Sequence, residues 1–255
     1  MTPLEHRLDR TVVIQANPET VFRYFTDSAR WAAWWGAGST IDARPGGRVY
    51  VRYATGDEAA GEVLEVKPPK RIVFTYGYVR GTPMPVGASR VTIELEPFEG
   101  ATRLRLAHEL SDAAVRDQHV QGWRYQLSLF GNLVADDQHA GAASIVDQWF
   151  AAWADPNVET RTALLRRIAN ERVQFRDRFS LIDGLDELVQ HIGGAQQFMP
   201  GIRMQRIGDV RHCQGIVLAD WAARTAGDET RGAGVTVFDL QSDGRLRAVT
   251  GFWNL

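Results

Sequence analysis

The sequence predicts an α+β protein of two domains, each a curved sheet wrapped on helices around an apolar pocket. Three observations carry this. The chain has 255 residues, 44% hydrophobic and 24% charged, the balance of a globular chain long enough for two domains. Alternating apolar and polar residues recur with short turns between the runs, which favours antiparallel neighbours. The order of elements also reverses: strands lead to one long helix in the first half, and helices lead to strands in the second.

In the first half, Val12, Val13 and Ile14 form a β-branched strand signal. Asn17-Pro18-Glu19 reads as N-cap, proline in the first turn and an early acid. The helix that follows is expected to bury Val21, Phe22 and Phe25 and to end around Asp27–Ser28, before the cluster Trp31, Trp34 and Trp35. Strands are expected at Val49–Tyr53, Gly61–Val66 and Ile72–Tyr78, set off by Pro45-Gly46-Gly47 and by Pro68-Pro69. Val91, Ile93 and Leu95 alternate with Thr92, Glu94 and Glu96, and Leu104, Leu106 and His108 with Arg103 and Arg105, as in half-buried strands. From Asp112 onward, Val120, Trp123, Leu127, Phe130 and Val134 recur at spacings of three and four, one apolar stripe of a long helix.

The polar, small-residue stretch Asp136–Ala143 places the boundary, with domains expected over 1–137 and 142–255. Beyond it, Ile145, Trp149 and Trp153 mark one helix ended by Asp155-Pro156, and Leu164, Leu165 and Ile168 a second. Val173 and Phe175 mark a short strand. Asp183 is expected to cap a third helix carrying Leu185, Leu188 and Ile192. Four long strands follow, around Arg203–Val210, Gly215–Thr225, Gly232–Gln241 and Arg245–Trp253, the last two joined by the turn Ser242-Asp243-Gly244. Helices first and a strand meander last describe a cone whose side the helices close.

The first half resembles the bacterial relatives of the activator of heat-shock-protein-90 ATPase, within the START-like (SRPBCC) superfamily of helix-grip folds. The residues that carry the likeness are Val12–Pro18, Trp34-Trp35-Gly36, Arg44–Arg48, Gly61–Val66 with Pro68-Pro69, Thr102–His108 and His119–Trp123, in that order. The second half resembles the nuclear transport factor 2-like superfamily (cystatin-like cone folds), in particular its SnoaL-like members. Here the carriers are Trp149–Trp153, Val173–Asp177, Gly184, Met199-Pro200-Gly201 and Val237–Leu246 with Gly251-Phe252. Both resemblances imply interior pockets. Both superfamilies hold binders and enzymes, so fold implies function only by analogy.

Composition narrows the partners. Lys and Arg number 29 against 31 Asp and Glu, divided almost evenly between the halves, so neither half has the basic excess that nucleic acid requires. A single cysteine, Cys213, cannot form an internal disulfide and is read as a quiet buried or strand residue. Residues 1–10 carry four charges and lack the apolar core of a secretory signal, and no apolar run has membrane-spanning length, so the cytoplasm is expected. No GxGxxG, GxxxxGK[ST] or GxSxG spacing occurs, so neither a nucleotide cofactor nor a serine-hydrolase elbow is expected. No metal or other cofactor is implied.

Three constellations could carry function. Trp34, Trp35, Tyr76, Tyr78 and Trp123, with Leu127 below them, suit a pocket for a flat organic molecule, although plain core packing explains each singly. His108 faces inward with Leu104 and Leu106, and His119 lies one turn before Trp123; structural hydrogen bonding is the alternative to a ligand role, and HxxxH or HExxH metal spacing is absent. In the second half, Asp177 stands near the strand end where fold-related ketosteroid isomerase keeps a general base. Arg178 follows it instead of proline, and the first helix offers Trp149 and Trp153 where an oxyanion-stabilising tyrosine would be wanted. His191 and Trp221 are further candidate lining residues, with Asp220 and Asp239 as polar candidates.

The leading expectation is binding of a small hydrophobic or aromatic molecule (lipid, steroid or polyketide-like) in one or both cavities. The alternatives are isomerase, cyclase or dehydratase chemistry with Asp177 as base, and a protein-interaction module, co-chaperone-like or dimerising. A homodimer is expected on fold analogy alone.

Overall fold

The computed structural model describes residues 3–254, so the outer domain limits at 1 and 255 lie outside the described residues. The chain divides into two compact units, the first ending at Asp137 and the second beginning at Gln138.

The first unit is a seven-stranded antiparallel sheet with three helices. The strands are β1 (His6–Ile14), β2 (Thr40–Ile41), β3 (Arg48–Arg52), β4 (Glu58–Lys67), β5 (Arg71–Tyr78), β6 (Ser89–Phe98) and β7 (Ala101–Leu110). Their order across the sheet is β1-β7-β6-β5-β4-β3-β2, so the first strand joins the last and the rest form a meander. Alternation decides the buried face. Val91, Ile93 and Leu95 of β6 and Leu104, Leu106 and His108 of β7 are buried, while Arg90, Glu94 and Arg105 are exposed.

Helix α3 (Ala113–Gln138) covers that buried face. Its stripe Trp123, Leu127, Phe130 and Val134 joins one core cluster with Leu8, Ile93 and Leu104. Two short helices complete this core. In α1 (Pro18–Arg23), Asn17 accepts from the Thr20 N–H and caps the helix start. The helix was expected to run on to Asp27–Ser28. It stops at Arg23 because Asp27 begins another helix, α2 (Ser28–Trp35), accepting from the Arg30 N–H at 2.9 Å. The tryptophan cluster therefore lies on α2. Gly36 ends α2 at φ +136°, and a Cβ there would lie 2.3 Å from the Arg52 carbonyl oxygen. Only glycine permits so close an approach of α2 to β3.

The second unit starts with α4 (Ala142–Ala154) and α5 (Val158–Ile168), followed by β8 (Ala169–Arg176), β9 (Leu181–Asp183) and α6 (Leu185–Phe198). The long strands β10 (Arg203–Cys213), β11 (Ile216–Arg224), β12 (Thr230–Leu240) and β13 (Leu246–Asn254) follow. The sheet order is β10-β11-β12-β13-β8-β9, antiparallel except where β13 meets β8 in parallel. On β11, Val217, Ala219, Trp221 and Ala223 are buried, which makes theirs the inner face. Asp220 faces the other way and pairs with Arg211 at 2.8 Å. Trp149, Phe175, Trp221 and Phe238 belong to one core cluster and fill it.

One local expectation is corrected in this unit. Asp183 does not cap α6: Gly184 holds the cap position, the Asp183 side chain accepts from Gln174, and Glu187 reaches back to the Asp183 N–H. A place at the end of β9 commits Asp183 to strand contacts. Cys213, read as a buried or strand residue, is the last residue of strand β10 beside the turn into β11, and it is exposed rather than buried.

Candidate functional site

A partly open pocket in the first unit lies between α2, α3 and the ends of β3 and β5. It has a volume of about 130 Å³ and is lined by Trp35, Tyr53, Tyr76, Tyr78, Gln118, His119, Gly122, Trp123 and Gln126. Trp35 stacks edge-on against Trp123 (5.6 Å between centroids) and Tyr53 (5.8 Å). Tyr76 and Tyr78 alternate with Gly77 on β5, and their rings meet at 5.7 Å. On α3, Gln118, Gly122 and Gln126 recur every fourth residue. Gln118 and Gly122 are exposed, so the cavity opens on this side of the helix.

Of the residues singled out from sequence in this half, Trp35, Tyr76, Tyr78 and Trp123 line the cavity. Trp34 does not, contrary to expectation. Neighbours on a helix point about 100° apart, so Trp34 turns into the core against Phe25 and Phe130 while its indole N–H donates to the Tyr24 carbonyl. Leu127 likewise packs in the core, one turn too deep. Tyr53, Gln118, Gly122 and Gln126 were not anticipated.

His108 stands behind the wall, fully buried, and its hydrogen bonds assign one tautomer. The Trp123 indole N–H donates to Nδ1 at 3.0 Å. Ser89 Oγ gives its only proton to the Tyr76 carbonyl at 2.8 Å, so it must accept from His108 Nε2–H, also 2.8 Å away. Burial, with the nearby His119 ring adding to it, lowers the His108 pKa to about 3. His108 is a neutral structural link between the cavity wall and β6.

His119 lines the cavity itself. Its Nδ1 lies 2.7 Å from the Val115 carbonyl, which can only accept, so Nδ1 carries the proton and Nε2 is an acceptor. The Tyr78 hydroxyl reaches Nε2 at 3.4 Å. Burial holds His119 below the usual imidazole range, opposed in part by the Val115 bond. The Tyr53 and Tyr76 hydroxyls bond to each other, and burial raises both phenols above their ordinary value. The indole N–H of Trp35, a residue only 6% exposed, has no partner.

A wider groove of about 640 Å³ crosses the outer face of the same sheet. Its walls are cross-strand ion pairs such as Arg90–Glu109 at 2.7 Å and Arg71–Glu94. Exposed pairs of this kind are a solvated face and add little stability.

In the second unit a shallow surface groove of about 700 Å³ is lined by Pro156, Val158, Arg161, Val189 and Gln196, among others. The space beside Trp153, Met199, Ile202 and Met204 measures about 20 Å³, enough for one water. Trp149 and Trp221 are buried in the core, and His191 lies between Trp153 and Phe175 with Nε2 at 3.0 Å from Ser180 Oγ. Asp177, half-buried, closes a turn: Oδ1 accepts from the Phe179 N–H at 2.8 Å and Oδ2 from the Trp253 indole at 3.1 Å. Asp239 pairs with Arg247 at 2.6 Å. Among the described residues no group of three His, Cys, Asp or Glu could hold a metal ion, and no helix is long and apolar enough to cross a membrane.

No curated protein matches this chain. Solved structures do. A putative isomerase of the SnoaL-like family from Agrobacterium tumefaciens is 24% identical, with a TM-score of 0.43 over 47% of this chain and 99% of its own. Protein CV1439 from Chromobacterium violaceum is 28% identical, with a TM-score of 0.43 over 50% of this chain and 96% of its own. The Aha1 dimer from Colwellia psychrerythraea is 19% identical, with a TM-score of 0.41 over 49% and 92%. Residues 15–135 match the family model of the Activator of Hsp90 ATPase homolog 1-like proteins, and it is this family that the first unit resembles.

Proposed function

We propose that the first unit binds a small, mostly apolar molecule of about one ring in its aromatic cavity. The observation that carries this is a partly open space of about 130 Å³ walled by five aromatic side chains and His119, with no charged residue on its lining. Cavities of about 150 Å³ lined by apolar side chains take up benzene, whereas drug-sized ligands occupy about 300–1,000 Å³. The volume therefore favours a single ring over the lipid, steroid or polyketide expected from sequence. The lining supplies positioned polar groups and no nucleophile–base pair, so the reading is binding without chemistry.

Gly122 offers the test. A Cβ at this position would meet nothing within 4 Å, and the residue stands at the opening. Gly122→Phe is expected to fill the mouth with little strain. Titration with toluene, followed by chemical-shift changes at the Trp35 and Trp123 indoles, should show saturable binding to the wild type and loss of about tenfold or more in the variant. Unshifted indoles in the wild type would refute the proposal.

A further inference from the structure

We infer that the cavity selects neutral one-ring molecules bearing a hydroxyl that donates a hydrogen bond to His119 Nε2, the phenol class. This rests on the cavity reading above and adds the chemistry of its ligand.

The argument begins with the backbone. The Val115 carbonyl, 2.7 Å from Nδ1, holds the proton on that nitrogen. The side of the ring facing Tyr78 and the cavity is therefore a lone pair. The Tyr78 hydroxyl stands at 3.4 Å, beyond the 2.5–3.0 Å of a well-formed hydroxyl hydrogen bond, so the acceptor is underused. Burial favours the neutral ring, which keeps that lone pair available at pH 7.

Discrimination follows from what the rest of the wall lacks. No cation lines the cavity, so a carboxylate entering it would lose hydration without gaining a counter-charge. A plain hydrocarbon fits the aromatic walls but leaves Nε2 unused. A phenolic hydroxyl satisfies Nε2 with its proton and presents an oxygen as acceptor. A site built to hydrogen-bond a hydroxyl penalises the analogue without one, because the buried polar groups of the site then go unpaired.

The experiment is an NMR titration of the full chain at pH 7 with phenol, toluene and benzoate, repeated on His119→Leu and His119→Gln. Phenol and toluene have nearly the same shape. The wild type should bind phenol about fivefold to tenfold more tightly than toluene, with benzoate failing to saturate. His119→Leu should abolish or reverse that preference while toluene still binds. His119→Gln, whose Oε1 can accept, should recover part of it. Equal affinity for phenol and toluene in the wild type, a preference unchanged in His119→Leu, or saturable benzoate binding overturns this inference and leaves the cavity reading standing. Failure of both phenol and toluene to bind the wild type overturns both.

Discussion

Replacing His108 by glutamine separates its hydrogen bonds from its proton. Glutamine can accept from the Trp123 indole through Oε1 and donate to Ser89 through Nε2, so both partners keep a bond, but it cannot titrate. In the folded protein His108 stays neutral down to about pH 3. In the unfolded chain it protonates near pH 6.5. The unfolded state thus binds the extra proton, and stability falls as pH drops below 6.5, by about 1.4 kcal/mol per unit. At pH 4.5 this amounts to about 3 kcal/mol, and the loss levels off near pH 3. At pH 7, His108→Gln should cost about 1–2 kcal/mol through imperfect geometry. The variant should therefore match or exceed the wild type at pH 4.5. Urea unfolding followed by hydrogen exchange on peptides from β6 and β7 reads the first unit by itself. Carboxylates titrate alike in both proteins and cancel in the difference. A stability gap that stays constant between pH 7 and 4.5 would refute the assignment of His108 as a buried neutral link.

Gly122→Ala should stabilise α3 by about 0.5–1 kcal/mol, since alanine is the better helix former and its Cβ meets nothing; a thermal melt checks the sign. Thr102→Val removes the fully buried hydroxyl that donates to the Ala16 carbonyl at 2.7 Å and should lower stability by about 1–2 kcal/mol, measured by urea unfolding. Gly234→Ala would place a Cβ 2.0 Å from the Phe252 carbonyl oxygen and should cost about 3 kcal/mol or more, seen as early exchange of β12 and β13 amides. Asp177→Ala strips the acceptors from the Phe179 and Trp253 N–H groups and should cost about 1–3 kcal/mol, with the Trp253 indole resonance shifting as the direct readout.

Periodicity made the elements legible because burial enforces it. The stripe from Trp123 to Val134 and the alternation of Val91, Ile93 and Leu95 face the core wherever the sheet and α3 place them. The cavity was only half legible, for a geometric reason. A cavity wall is made of the residues that just fail to meet, and that failure depends on the distance between elements far apart in sequence. Trp34 and Trp35 look alike as letters, yet one helical step sends the first into packing and leaves the second at the space. Gly122 carried no signal, since an open mouth is written as an absent side chain. Tyr53 lies just past the end of β3 and reaches the wall only because the strands bring its hydroxyl to that of Tyr76. Asp183 misled because local capping preference competes with a strand contact that only the β8–β9 pairing reveals.

The two units treat the same kind of group differently, and this bears on where a ligand belongs. Three indole N–H groups, of Trp35, Trp153 and Trp221, are buried without a partner. Each such group costs about 1–3 kcal/mol when left unpaired. Trp221 is enclosed within the packed core of the second unit. Trp153 borders a space of about 20 Å³, where a single water suffices. Trp35 alone of the three lines a space of ligand size, and the groups around it are held in place. His108 is fastened to Trp123 and Ser89, His119 to Val115, and Gln126 to the Trp34 carbonyl. Rigid walls of this kind spare a ligand the cost of ordering them. The ligand proposed for the first unit would thus meet walls already held in place, whereas Trp153 and Trp221 of the second unit face a one-water space and a packed core.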